Sequence, residues 1–161
     1  ESTHPGEAPA AYVARLSAEK ARVVADRLDT EAIVVAADTT VDVDGQILEK
    51  PVDDADARRM LRLLSGRTHL VHTGVSVVWF PEPRSPGTTT RVVETAVQFV
   101  ELTDSAIEWS LTTGEHAGKA GAYGIQAAAG AFAAPLDGSV TNVIGLPLAE
   151  TLALIRARAA S

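Results

Sequence analysis

Residues 33–51, IVVAADTTVDVDGQILEKP, limit what this chain can fold into more than any other stretch. The segment opens with Ile33-Val34-Val35-Ala36-Ala37, an apolar run short and β-branched enough to form a strand buried on both faces. Asp38 ends the run. A carboxylate at the end of a buried strand is costly to desolvate unless a cation, a metal or a reacting group meets it. The strand resumes at Thr39 and runs through Val43 to Asp44-Gly45, a pair that tolerates positive φ and predicts a tight hairpin turn into Gln46-Ile47-Leu48. Counting back from the turn pairs Val43 with Gln46, Val41 with Leu48 and Thr39 with Lys50, which returns a lysine to the level of Asp38. In an unbroken ladder Lys50 shares a face with Thr39 while Asp38 points the other way. A bulge or a strand end is therefore needed if both charges are to line one pocket.

The 161 residues suit one domain, 1–161, large enough to bury a substantial core. A net charge of −7 argues against a nucleic-acid partner, which would need surplus Lys and Arg to neutralise its backbone. Any phosphate bound is expected to be a small one. The lack of cysteine excludes disulfides, zinc thiolates and thiol catalysis. No apolar run is of membrane-spanning length and no signal peptide is visible, so no membrane partner and a cytoplasmic location are expected. Lysine usage is more informative. Eleven of the fourteen basic residues are arginine, and the three lysines are Lys20, Lys50 and Lys119. Either chance placed them, or a compact ammonium is wanted there, as it is where one point charge meets a phosphate.

Residues 8–28 are alanine-rich and helix-periodic, with Val13, Leu16, Val23, Val24 and Arg27 along the expected inward stripe and Lys20 inside it. Such a lysine either snorkels to the surface or carries its charge into a site. Asp53 or Asp54 can cap a helix with Ala57, Met60, Leu61 and Leu64 on its buried face. Residues 68–80 are strand-like, and Thr73-Gly74 marks a bulge or a close backbone approach. His69 and His72 lack metal-site spacing and are expected to be ordinary strand residues. Residues 81–90, rich in Pro, Gly and Thr, predict an exposed loop before a strand at residues 92–102. Thr103 can cap a short helix with Ile107 and Leu111. Lys119-Ala-Gly-Ala-Tyr-Gly-Ile-Gln126 by itself predicts a glycine-broken strand, with a ligand loop as the alternative. Gln126 offers a donor and an acceptor suited to a base edge. After Pro147, a last helix is expected to bury Leu148, Leu152, Ile155 and Ala159.

Three blocks taken together narrow the reading. Ala37-Asp38-Thr39-Thr40-Val41 with Lys50-Pro51, Leu64-Ser65-Gly66 with His69 and Thr73-Gly74-Val75, and Lys119 to Gln126 with Gly145-Leu-Pro147 closely resemble the Maf family of nucleoside triphosphate pyrophosphatases. The resemblance implies an α/β fold of the Maf and inosine-triphosphatase type, a long mixed β-sheet with flanking helices and a central cleft between two lobes. It also implies hydrolysis of a nucleoside triphosphate to monophosphate and pyrophosphate with a divalent cation, Mg²⁺ or Mn²⁺, in a house-cleaning role, and it is compatible with a homodimer. By position, Asp38 matches the family's catalytic proton acceptor, and Glu1, Lys20 and Lys50 match other polar residues of the cleft. Thr39 and Gln126 match the branch acting on dTTP and UTP. The family's opening strand and its Ser-x-Ser-Pro-Arg-Arg phosphate-binding turn have no counterpart here: either that segment precedes Glu1 in the natural protein, or part of the phosphate site is lost.

In this reading Asp38 activates water directly or through a metal that Glu1 helps to hold, Lys20 and Lys50 stabilise phosphate charge, and Thr39 and Gln126 select the pyrimidine. Two rivals stand beside it. The family's association with septum formation suggests a nucleotide-binding regulator of cell division without turnover. A generic metal-dependent phosphatase would instead use Asp38, Asp42 and Asp44.

Overall fold

The computed structural model describes residues 3–30, 32–80 and 87–159. Five strands form one sheet in the order β2-β1-β3-β4-β5, with β1 at Val34–Val43, β2 at Gln46–Leu48, β3 at Thr68–Trp79, β4 at Gly87–Phe99 and β5 at Ala133–Asp137. The expected hairpin forms. Asp44 takes φ 53° and Gly45 φ 81°, and Val41 pairs with Leu48 and Val43 with Gln46. Where a mixed sheet was expected, all four pairings among the described strands are antiparallel. Short links account for two of the pairings, β1 with β2 and β3 with β4, while β1 reaches β3 through β2 and α2, and β4 reaches β5 through residues 100–132.

Helix α1, Pro9–Ala25, lies across one face of β1, β3 and β4. Its buried residues are Tyr12, Val13, Leu16, Ser17, Ala21 and Ala25, while Val23 and Val24 are half exposed and Arg27 is exposed. The expected inward stripe is thus rotated. Small residues permit a closer seat than valines do: Ser17 Oγ lies 2.8 Å from Ser76 Oγ, and Ala21 and Ala25 pack on Val34 and Val78. Gly74 completes this seat. A Cβ at that position would lie 2.2 Å from the carbonyl oxygen of Val13, so the glycine serves a close backbone approach and not a bulge.

The opposite face carries the larger core, in which Val41, Val43, Leu48, Val71, Val97 and Phe99 pack against α2, Asp54–Leu64, and α3, Asp104–Thr112. Both helices start as their sequences predict. Asp53 accepts a hydrogen bond from the Asp56 amide, and Thr103 from that of Ala106. Three other expectations are corrected. Residues 87–90 are the start of β4, because three consecutive threonines suit a strand edge and pair with β3; residues 81–86 of the expected loop lie outside the described residues. Residues 119–126 are not a strand but a loop with a 3₁₀ turn at Ala120–Ala122, where Gly121 takes φ 68° and a Cβ would press within 2.9 Å of Val41. In the last helix, α5, Leu148–Ala159, Thr151 is buried while Leu148 and Leu152 are half exposed. Its rotation follows from polar anchors: the Thr151 hydroxyl donates to Pro147 O, and Arg158 stacks 4.0 Å over Trp79 and donates to Thr89. Ile155 is half-buried, and the Ala159 side chain lies outside the described residues.

Replacing Gly74 with alanine should lower folding stability by about 3 kcal/mol, because backbone must move to admit the methyl group. Urea denaturation of the variant measures this, and an unchanged midpoint would contradict the close seat.

Candidate active site

β2 ends at Leu48, so residues 34–40 of β1 have β3 on one side and no strand on the other among the described residues. The end of β2 pairing at Leu48 resolves the alternation problem raised by the hairpin register. Asp38 points toward α1 and Thr39 toward the opposite face, yet a cleft of about 270 Å³ is lined by both. Lys50, beyond the end of β2, reaches the same cleft. Lys20 Nζ approaches from α1 and donates to Asp38 Oδ1 at 2.5 Å, with the Asp38 side chain 9% exposed and that of Lys20 36%. Here an inward lysine carries its charge to a carboxylate at the site. Lys119, whose amine donates to Glu115 O at 2.7 Å, also lines the cleft, so all three lysines of the chain converge there. Gln126 lines the cleft as well.

A second recess of about 200 Å³ adjoins the first through Asp38, Thr39, Lys50 and Ala120, and adds Tyr12 and Glu49. The Tyr12 hydroxyl donates to Glu49 Oε1 at 3.0 Å. Among the described residues no group of three or more His, Asp or Glu is arranged for a metal ion. Asp38 and Glu49, two carboxylates on one recess, nevertheless fit the way Mg²⁺ is commonly held, by one or two protein carboxylates with substrate phosphates completing the shell. Glu1 lies outside the described residues. The trio of the generic phosphatase does not assemble: Asp44 sits at the exposed hairpin tip paired with Arg67, and Asp42 lies beside His72 and lines neither recess.

Tyr123 lines the cleft and shares a 2.8 Å hydrogen bond with His69 Nε2. Edge-to-face contacts join both rings to Phe99. Burial holds the Tyr123 phenol well above its ordinary range and pushes His69 down to about 4. His69 is therefore a neutral structural partner, as its spacing predicts.

A model of the family described as Maf-like protein matches residues 1–158. The chain belongs to the Maf family. It is 51% identical over 156 residues, 97% of its length and 74% of the relative's, to a protein of Anaeromyxobacter sp. (strain Fw109-5) named dTTP/UTP pyrophosphatase. Proteins of the same name in Myxococcus xanthus (strain DK1622) and Bordetella bronchiseptica are 48% and 47% identical, covering 96% and 97% of this chain and 76% and 75% of their own. The α/β architecture described above is consistent with the Maf fold. Of the residues that the Maf resemblance singles out, Asp38, Lys20, Lys50, Thr39 and Gln126 all line one cleft. Lys119, singled out by lysine usage, joins them, and Glu49 is an addition. Glu49 was readable in principle: the hairpin register continued by one step pairs it with Thr40, on the Asp38 face.

His69 makes the fold acid-sensitive. Its folded value is depressed from 6.5 to about 4, so the unfolded chain takes up the proton first, and stability present above pH 6.5 is lost as pH falls toward 4. The loss should be about 3 kcal/mol, read as a falling urea midpoint, and His69→Gln should flatten that slope.

Proposed function

We propose that this chain hydrolyses nucleoside triphosphates of the dTTP and UTP kind, canonical or modified, between the α- and β-phosphates, releasing monophosphate and pyrophosphate. The convergence of Asp38 with all three lysines on one cleft of a chain with net charge −7 carries the proposal. An otherwise acidic protein has gathered its compact cations where a polyanion would lie. The names of its Maf relatives support the same substrate class.

Attack on the α-phosphorus needs an activated water, neutralised phosphate charge and a held base. Asp38 accepts the proton of the attacking water as the bond to the bridging oxygen breaks and pyrophosphate leaves. Lys20 fixes the orientation of that carboxylate through its 2.5 Å hydrogen bond. Lys50 and Lys119 neutralise charge on the phosphates, and Thr39 and Gln126 hold the pyrimidine. Asp38 and Glu49 would hold a divalent cation, Mg²⁺ or Mn²⁺, with Glu1 as a further ligand. When bound, such an ion screens the triphosphate and makes a coordinated water more acidic.

Incubation with dTTP or UTP and Mg²⁺ should release pyrophosphate and the monophosphate; orthophosphate as the first product would refute the reaction, and binding without release would favour the regulator. Asp38→Asn should lower kcat by about 10³-fold or more with an unchanged unfolding midpoint. Lys20→Met should cut kcat/KM by about tenfold to a hundredfold, and a wild-type rate in that variant would remove Lys20 from the mechanism.

A further inference from the structure

Thr39 and Thr73 are cross-strand partners on β1 and β3, with their Oγ1 atoms 2.8 Å apart. Thr73 is fully buried, and its Oγ1 also lies 3.0 Å from the main-chain carbonyl oxygen of Asn142. A hydroxyl has one proton and a carbonyl oxygen only accepts. One assignment alone places a proton in both oxygen–oxygen contacts: Thr73 donates to Asn142 O, and Thr39 donates to Thr73. The reverse leaves two oxygens facing each other through lone pairs at 3.0 Å.

The end of this relay is anchored. Asn142 is fully buried in α4, Val140–Ile144, and its Nδ2 donates to Val71 O at 3.1 Å and to Thr95 Oγ1 at 2.9 Å. Its carbonyl also accepts from the Gly145 amide at 2.9 Å. With its proton committed inward, Thr39 turns only lone pairs toward the cleft. Gly145 lies beside that oxygen on the cleft wall: a Cβ there would be in ordinary contact with it, at 3.6 Å.

Resting on the reading of this cleft as a pyrimidine nucleotide site, we propose that Thr73 and the Asn142 carbonyl make Thr39 an obligate hydrogen-bond acceptor that selects thymine and uracil through N3–H. On the base-pairing edge of those two bases N3–H is the only donor, flanked by two carbonyl oxygens. Cytosine presents a lone pair at N3 and would set acceptor against acceptor. Thr73 is thus a positioning residue, acting on the base through Thr39.

Calorimetric binding of UMP, 3-methyluridine monophosphate and CMP reads this polarity without turnover. The wild-type chain should bind UMP about tenfold or more tightly than either of the others, as expected for one satisfied against one unsatisfied buried hydrogen bond. Thr73→Val, which keeps the shape and frees the Thr39 proton, should bring UMP and CMP within about threefold of each other, and Thr73→Ser should restore the preference. The ratio of kcat/KM for dTTP over dCTP should follow the same pattern. Equal binding of UMP and 3-methyluridine monophosphate by the wild type, no binding of any of the three, or an equal loss for all three in Thr73→Val would overturn the proposal. If Thr73→Val does not fold, the wild-type comparison with the methylated base still decides. The expected binding order in a chain that releases no pyrophosphate would support the polarity of Thr39 and overturn the hydrolytic reading instead.

Discussion

The site depends on a mismatch in strand length. β1 has ten residues and β2 three, so β2 pairs with only the last part of β1, and among the described residues no strand flanks the Asp38 end on that side. Alternation along a strand would otherwise hold Asp38 and Thr39 on opposite sides of a sheet, out of reach of one small molecule. Beyond the last β2 pairing, Asp38 and Thr39 nevertheless line one cleft. One cleft can then draw an acid and an ammonium from the α1 side and a hydroxyl and an amide from the other.

What surrounds that cleft is built from close seats and satisfied polar groups. Gly74 lets α1 settle against β3 opposite Asp38, and the same seat sets the reach of Lys20. On the other face Thr39, Thr73 and Asn142 form a buried chain of hydrogen bonds that ties α4 to the sheet, and Tyr123 with His69 props the loop at residues 119–126. Buried polar groups stabilise a fold only when their partners are in place, and then they hold one geometry closely. Here several of those partners, Lys20, Asp38, Thr39 and Tyr123, line the cleft, and Thr73, Asn142 and His69 hold them from behind, so folding and assembly of the site are largely the same event.

Charge completes the design. Arginines serve the periphery, where Arg58 pairs with Glu108, Arg62 with Asp104 and Arg15 with Glu7, all forked guanidinium contacts to carboxylates. Lysines serve the cleft. A planar fork suits a fixed carboxylate, whereas a compact ammonium on a flexible stem can follow a phosphate group through a reaction.

The hairpin, its register, the Asp53 and Thr103 caps and the buried face of α2 are legible in the sequence because each is a local matter of turn chemistry, capping or periodicity. The motif resemblance likewise brings Asp38, Lys20, Lys50, Thr39 and Gln126 forward together, and the cleft gathers all five. Less legible were the faces of α1 and α5 and the path of residues 119–126. Periodicity ranks the bulk of side chains, but the second half of α1 turns Ser17, Ala21 and Ala25 inward in place of its valines, and α5 follows its anchors at Thr151 and Arg158. Glycines at 121 and 124 can interrupt a strand or shape a loop, and contact with Val41 and the Glu49 carbonyl selects the loop. By itself, then, the sequence determined which groups could do chemistry and which strand would carry the central acid. Only the tertiary structure decided that both faces of that strand open on one cleft and which way the Thr39 proton points, because those depend on where a neighbouring strand stops and on a carbonyl 69 residues beyond Thr73.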